Sequence, residues 1–155
     1  DGARDRIRED VTVLVRDGRI EAVADDDAAI PAGYTVVDLD GNYLMPGLFD
    51  VHTHISTLAQ AARALESGVT TVRTASVSAY QDVSMRELVH QGAIPGPDVV
   101  AAGVFVTPDL GETLLADPRL HALAGGVNTD EELELLVDIN ADRGRRRAPG
   151  STSPR

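Results

Sequence analysis

Residues 43–55 read Tyr43-Leu44-Met45-Pro46-Gly47-Leu48-Phe49-Asp50-Val51-His52-Thr53-His54-Ile55, and they carry the strongest chemical pattern in the chain. Alternation with a period of two predicts a strand from Leu48 to Ile55, because successive side chains of a strand point to opposite faces. Asp50, His52 and His54 then share one face, and the other face is apolar. Neutral imidazole is the commonest protein ligand for zinc. The pattern thus indicates a metal-binding pair, with two surface histidines in a turn as the alternative.

The position of the two histidines favours the metal site. They lie at the end of an apolar strand, after a Pro-Gly turn and before a helical pattern, where barrel and open-sheet enzymes place their chemistry. We predict His52 and His54 as metal ligands, with zinc the expected divalent ion. Asp50 is predicted either to hydrogen-bond an imidazole behind the metal or to be a buried structural carboxylate. No catalytic residue is assigned.

Upstream of this segment the sequence predicts short strands. Alternating runs at 11–16 and 19–24 are separated by Asp17-Gly18, which predicts a hairpin with a type I′ turn because both central residues need positive φ. A third strand is predicted at 34–39, where β-branched residues lie between two turn patterns.

Downstream, strands and helices alternate in the order strand 48–55, helix 56–66, strand 69–75, helix 85–91 and strand 98–103. That order favours parallel pairing with right-handed crossovers. Capping-box patterns predict that Ser84, with Glu87 as its partner, caps the second helix, and that Thr129, with Glu132, caps a last helix. The last helix is predicted to end near Asp142 and to have one side formed by Leu133, Leu136, Val137 and Asn140.

The segment from Pro46 to His54 resembles the first-strand signature of the amidohydrolase superfamily, near its imidazolonepropionase-like and Xaa-dipeptidase-like branch. The resemblance runs from about Val11 to about Gly144. It implies an α/β fold, the N-terminal part of a (β/α)8 TIM-type barrel preceded by a small β-sandwich segment. It also implies that a metal-activated water hydrolyses a C–N bond in an amide, cyclic amide or dipeptide. Within the chain only His52 and His54 match the family's metal ligands.

The resemblance divides the chain into a β-sandwich segment at 1–46, a partial barrel at 47–142 and a disordered tail at 143–155. After the position of Gly144, relatives continue into a strand that carries a metal-bridging lysine, whereas this chain has no lysine. A full barrel needs about 250 residues, so we expect an N-terminal fragment that is inactive alone. The alternative is a non-catalytic product that acts only through oligomerisation or partner binding, because open strand edges invite pairing.

Composition restricts the remaining functions. The chain has 155 residues, 43% of them hydrophobic and 3% aromatic, so one core of aliphatic side chains is expected. The net charge of −11 argues against binding to nucleic acid or anionic membranes. The chain has no cysteine and no apolar run of membrane-spanning length, so we predict a cytoplasmic protein. The family resemblance implies a small-molecule substrate for the complete enzyme.

Four other polar residues carry weaker predictions. Arg73 and Thr74, near the end of a predicted strand, would line a pocket, and a salt-bridged structural arginine is an equal alternative. His90 lies within a predicted helix and is expected to be structural or exposed. His121 falls in a long segment that resembles the loop over the active site of relatives, and a ligand role for it is the minority interpretation.

Overall fold

The computed structural model describes residues 7–25 and 28–144. Of the disordered tail predicted at 143–155, residues 145–155 lie outside the described part, whereas Arg143 and Gly144 are helical, so the prediction is wrong for these two. The chain divides between Pro46 and Gly47 into two compact units. In the described part of the chain, no helix has the length and apolar character that crossing a membrane requires.

The first unit contains an antiparallel hairpin of β1 (Val11–Arg16) and β2 (Arg19–Asp25). Asp17 and Gly18 form its turn with φ angles of 51° and 72°. Both angles are positive, as a type I′ turn requires, and the predicted hairpin is confirmed.

The predicted third strand at 34–39 is wrong. These residues lie outside every strand that the structure describes, and Val36 and Val37 are 65% and 76% exposed. A β-branched run forms a strand only when a neighbouring strand offers hydrogen-bond partners and side-chain contacts. Here Tyr34 joins the hairpin through its side chain instead, because its hydroxyl accepts a 2.7 Å hydrogen bond from Arg16 and donates one to Glu21.

The second unit is built on a parallel sheet of three described strands in the order β3, β4, β5. The elements are β3 (Leu48–Thr53), α1 (Leu58–Glu66), β4 (Val69–Thr74), α2 (Gln81–His90), β5 (Asp98–Val100) and α3 (Asp130–Gly144). Short 3₁₀ helices lie at Ser78–Tyr80, Gly111–Ala116 and Pro118–Leu123. The parallel pairing and the alternation of strands with helices were both predicted, and both are confirmed.

Two apolar clusters stabilise this unit. The first lies between the sheet and the first two helices and contains Ile55, Ala61, Val72, Met85 and Val99. The second packs α3 and the 3₁₀ segments together and contains Tyr80, Val83, Val104, Leu110, Leu120, Leu123, Leu136 and Ile139. The aliphatic core expected from the composition is therefore present.

The apolar face predicted for β3 is largely exposed rather than buried. Phe49 and Val51 are 74% and 65% exposed, and only Ile55, just beyond the strand, is buried. The reason is that β3 is an outer strand of the described sheet, and α1 packs on the neighbouring strand β4 and on Ile55 beyond β3.

The predicted start of the second helix at Met85, with Ser84 as its cap, is also wrong. Helix α2 begins at Gln81, and Ser84 is an exposed residue inside it. The cause is tertiary: Asp82 in the first turn is fully buried and binds the backbone after β5. This contact holds the chain helical before the local capping pattern begins.

Helix α3 confirms its predicted capping box, because Glu132 N donates to Thr129 Oγ1 at 3.2 Å and Thr129 N donates to Glu132 Oε2 at 3.0 Å. Its predicted packing side is partly wrong, since Leu133 and Val137 are 38% and 48% exposed. The helix instead buries Leu136 and Ile139 against the 3₁₀ segments.

Candidate metal centre

The two candidate ligands lie together at the carboxyl end of β3. His52 is in the strand and His54 follows it, and both side chains are exposed. Their ring centroids are 5.5 Å apart with an interplanar angle of 75°. Two imidazoles that share one zinc ion, at about 2.0–2.1 Å and near a tetrahedral angle, place their centroids about 5 Å apart. The pair therefore has a spacing that fits one shared metal.

The ring of His54 is oriented by a backbone carbonyl. Its Nδ1 lies 2.7 Å from the carbonyl oxygen of Ser76. A carbonyl oxygen only accepts, so Nδ1 carries the proton and Nε2 keeps its lone pair. Metal-ligating histidines commonly use their second nitrogen in this way. The hydrogen bond thus leaves Nε2 of His54 as the candidate metal-binding atom.

A second contact restrains the same ring from its face. Phe105, in the segment after β5, stacks on His54 with centroids 5.8 Å apart and an interplanar angle of 25°. The long segment after the third strand was expected to resemble a loop over the active site, and here one of its side chains contacts a candidate ligand. Phe105 was not identified from the sequence as part of the site.

Ser76 has an unfavourable backbone conformation at the position where its carbonyl contacts His54. Its φ angle is +78°, and two other non-glycine residues after β4, Ala79 and Tyr80, have φ angles of 51° and 57°. Such conformations cost about 1–3 kcal/mol each and occur often at functional sites. No local sequence signal predicts positive φ at a serine followed by valine.

Asp50 lies beside the pair and is exposed rather than buried, so the interpretation as a buried structural carboxylate is wrong. Its Oδ1 accepts a 3.1 Å hydrogen bond from the backbone N–H of His52. The observed contact is therefore with the backbone of a candidate ligand. An interaction with an imidazole stays a prediction.

The other polar residues singled out in the sequence take different roles. Arg73 donates a 3.4 Å hydrogen bond to the carbonyl of Val51, across the two neighbouring strands. Thr74 is fully buried and donates to Asp82. His90 and His121 are both exposed.

Sequence reasoning missed Asp82. Its side chain is fully buried and accepts hydrogen bonds from the hydroxyl of Thr74 and from the backbone N–H groups of Val83, Ala102 and Gly103, at 2.6–2.9 Å. The aspartate lies in a helical pattern with no apolar periodicity that would mark it as buried. Its role depends on contacts with residues twenty positions away, which a local pattern cannot reveal.

The chain is similar to adenine deaminase 2 from Bradyrhizobium sp. (strain ORS 278), with 30% identity over 143 residues that cover 86% of this chain and 23% of the relative. An imidazolonepropionase from Klebsiella pneumoniae is 43% identical over 68 residues, which cover 43% of this chain and 16% of that enzyme. A solved structure of a candidate prolidase from Bifidobacterium longum has a TM-score of 0.67 and 34% identity, covering 86% of this chain and 33% of that one. No family model matches the chain.

The chain belongs to the amidohydrolase superfamily. It spans less than a quarter of the length of these curated relatives. The family resemblance seen at the first-strand signature is therefore confirmed, and the mixed α/β architecture agrees with it.

In this amidohydrolase chain the histidine pair has no third partner among the described residues. Within residues 7–25 and 28–144, no group of three or more His, Cys, Asp or Glu side chains could hold a metal ion. The lining of an open cleft of about 540 Å³ includes Ser76, which contacts His54, and Val104 and Val106, which flank Phe105, but neither histidine lines the cleft. The role of His52 and His54 as metal ligands therefore stays a prediction.

Proposed function

We propose that the chain contributes part of the metal centre of a hydrolase that cleaves a C–N bond in an amide, cyclic amide or dipeptide. His52 and His54 would hold a divalent metal, with zinc the expected ion. The observation that carries this proposal is the close pair of imidazoles at the end of β3, one of which has its Nδ1 hydrogen-bonded to the carbonyl of Ser76.

The proposed architecture follows from the same residues. The alternating unit from β3 to β5 would form the first part of a (β/α)8 barrel, and the hairpin would belong to a small β-sandwich. Support comes from the parallel order of the strands and from the family. In such barrels the chemistry lies at the carboxyl ends of the strands, which is where His52 and His54 lie.

Each residue of the site has a defined task in this proposal. His54 would present Nε2 in a fixed orientation, because Ser76 binds its Nδ1 and Phe105 covers its ring. Asp50 shapes the backbone at His52 through its hydrogen bond. A bound metal would supply an activated water near neutral pH and polarise the substrate carbonyl.

The location in the cytoplasm stays a prediction.

A complete centre needs more ligands than this pair. Catalytic zinc usually has three protein ligands and one water, and the described residues supply two histidines. We therefore propose that further ligands come from residues outside the described part or from another chain. On this proposal the 155-residue chain binds zinc weakly and has no hydrolase activity alone.

Zinc binding to the purified chain tests this function. Calorimetric titration with zinc at pH 7 should show about one zinc per chain at saturation, and His52→Ala or His54→Ala should each weaken the affinity at least about tenfold. His90→Ala is the matched control, because His90 is also exposed but lies on α2. Equal zinc affinity in the His54→Ala and His90→Ala variants would contradict the proposed centre.

The second candidate function is non-catalytic association through the outer strands. The observation that favours it is the exposure of Phe49 and Val51 on β3, at 74% and 65%. Such a product would act through another copy of the chain or through a partner protein. Zinc binding separates the two candidates, because association through a strand edge needs no metal.

A further inference from the structure

We propose that Asp82 is a positioning residue of the metal centre, since its buried carboxylate fixes the backbone segments that orient His54. The inference rests on the proposed metal-binding function of the histidine pair. Asp82 itself does not contact either imidazole and would be no metal ligand.

The carboxylate of Asp82 joins three segments of the chain. Its Oδ2 accepts from Thr74 Oγ1 at 2.6 Å and from the N–H groups of Ala102 and Gly103, both at 2.9 Å. Its Oδ1 accepts from Val83 N at 2.8 Å. The buried carboxylate of Asp82 is thus hydrogen-bonded to the end of β4, to the first turn of α2 and to the chain after β5.

A series of hydrogen bonds links the carboxylate of Asp82 to the backbone acceptor of His54 Nδ1. The carbonyl of Gly103 accepts a 3.0 Å hydrogen bond from Val77 N. Val77 directly follows Ser76, whose carbonyl oxygen lies 2.7 Å from His54 Nδ1. By holding Gly103, Asp82 therefore fixes the peptide that presents the acceptor to the imidazole.

A second connection reaches the face of the same ring. Phe105 lies two residues after Gly103 and stacks on His54. The backbone of Val104, between them, is bound on both sides by the amide of Asn140, at 3.2 Å and 3.0 Å. The carbonyl of Ser76 and the ring of Phe105, which both contact His54, thus belong to segments that meet at Gly103: one is hydrogen-bonded to Gly103 and the other follows it in the chain.

The arrangement requires a carboxylate rather than an amide. Every hydrogen-bonding partner of Asp82 given above can donate, and an ionised carboxylate offers acceptors on both oxygens. An asparagine has one acceptor oxygen, so its NH₂ group would face at least one donor in a buried site, which is unfavourable. Asp82→Asn keeps the shape of the side chain and tests the charge and the acceptors alone.

The experiment compares Asp82→Asn with Asp117→Asn in the full chain. Asp117 is the matched control, because it is also a buried carboxylate with several hydrogen bonds but lies outside both connections to His54. Two readouts are used at fixed pH: the His54 tautomer from ¹⁵N NMR and the zinc affinity from calorimetric titration. We expect Asp82→Asn to replace the single Nδ1–H tautomer by a mixture and to weaken zinc binding about tenfold.

Thr74 supplies a second, milder test. Thr74→Val removes one hydroxyl donor to Asp82 and should give a partial change of tautomer, whereas Thr74→Ser keeps the hydroxyl and should behave like the parent chain. If Asp82→Asn fails to fold, the Thr74 pair decides: an unchanged tautomer in Thr74→Val would overturn the proposal.

The outcomes separate this inference from the proposed function. A folded Asp82→Asn variant with the parent tautomer and parent zinc affinity would refute the positioning role. If the parent chain binds no zinc, the proposed function fails, but the tautomer comparison still decides whether Asp82 orients His54. A change of tautomer in Asp117→Asn as large as that in Asp82→Asn would also refute it, because the effect would then be general destabilisation.

Discussion

Ser76 combines a functional contact with an unfavourable backbone conformation. Its carbonyl orients His54, and its φ of +78° lies in the region that disfavours residues with a Cβ atom. Ser76→Gly removes that Cβ atom and keeps the carbonyl. We expect the free energy of unfolding to rise by about 0.5–1 kcal/mol, as measured by urea denaturation, because the relieved strain exceeds the added freedom of the unfolded chain.

The control for this prediction is Ser78→Gly. Ser78 is exposed and is not among the residues with positive φ. Glycine there relieves no strain, so the variant should lose about 0.5–1 kcal/mol. A loss of stability in Ser76→Gly as large as in Ser78→Gly would show that Ser76 is not strained.

At the scale of single residues, the sequence indicates the candidate ligands better than it indicates the groups that contact them. His52 and His54 stand out because one strand segment carries both, and the observed pair of rings agrees with that pattern. Ser76, Phe105 and Asp82 are assembled from positions up to about fifty residues away along the chain. No spacing within one element indicates such contacts, so they become visible only in the folded chain.

At the scale of elements, an ionic cluster links α3 to the 3₁₀ helix at Pro118–Leu123. The cluster consists of Asp117, Arg119, Asp142 and Arg143. The carboxylate of Asp117 is buried and accepts from Arg119 Nη2 and from Arg143 Nε, each at 2.8 Å. Asp142 on α3 binds Arg119 Nη1 at 2.9 Å. The hydrogen bonds from Arg119, followed by those from Arg143, hold the pKa of Asp117 well below its ordinary value.

This lowered pKa predicts how stability depends on pH. A carboxyl whose folded pKa is depressed stabilises the folded state above its unfolded pKa of about 3.9, and that contribution is lost as the pH falls below it. Asp117→Asn should reduce the free energy of unfolding by about 2 kcal/mol at pH 7, because it leaves two arginines without their buried partner. The difference from the parent chain should shrink below about pH 4.

Asp142→Asn is the control for the ionic cluster. Its side chain is 59% exposed and shares only one arginine with the cluster. Exposed ion pairs contribute about 0–1 kcal/mol, so the change should be within about 0.5 kcal/mol at every pH. A difference between Asp117→Asn and the parent chain that stays constant from pH 7 to about pH 3 would contradict the role given to Asp117.

Elements with purely local causes were predictable, and the others were not. The hairpin turn depends on two adjacent residues, Asp17 and Gly18, and the α3 start depends on Thr129 and Glu132, so local patterns sufficed. The start of α2 depends on a buried contact of Asp82, and the run at 34–39 depends on a strand partner. Local pattern reading fails where a distant segment decides the outcome.

At the scale of the whole chain, two opposing properties govern self-association. Within the described sheet, β3 and β5 are the outer strands, and Phe49, Val51 and Val100 on them are 74%, 65% and 46% exposed. Outer strands with apolar side chains invite pairing with another chain. The net charge of −11 opposes that pairing by repulsion between copies.

Salt should therefore shift the balance toward association. Raising the ionic strength from about 0.01 M to about 1 M shortens the Debye length from about 30 Å to about 3 Å, so the repulsion weakens while apolar pairing persists. Sedimentation velocity should show a larger associated fraction at high salt. Val51→Lys should reduce that fraction, because a lysine on an outer strand must lose its hydration when another strand pairs there.

Leu115→Lys distinguishes pairing at the edge of β3 from non-specific hydrophobic association. Leu115 is 82% exposed in a 3₁₀ helix, so the change adds the same charge and removes a comparable apolar side chain away from the sheet. If both lysine variants reduce association equally, exposed apolar area rather than the edge of β3 causes it. If only Val51→Lys does so, the outer strand β3 is the interacting surface.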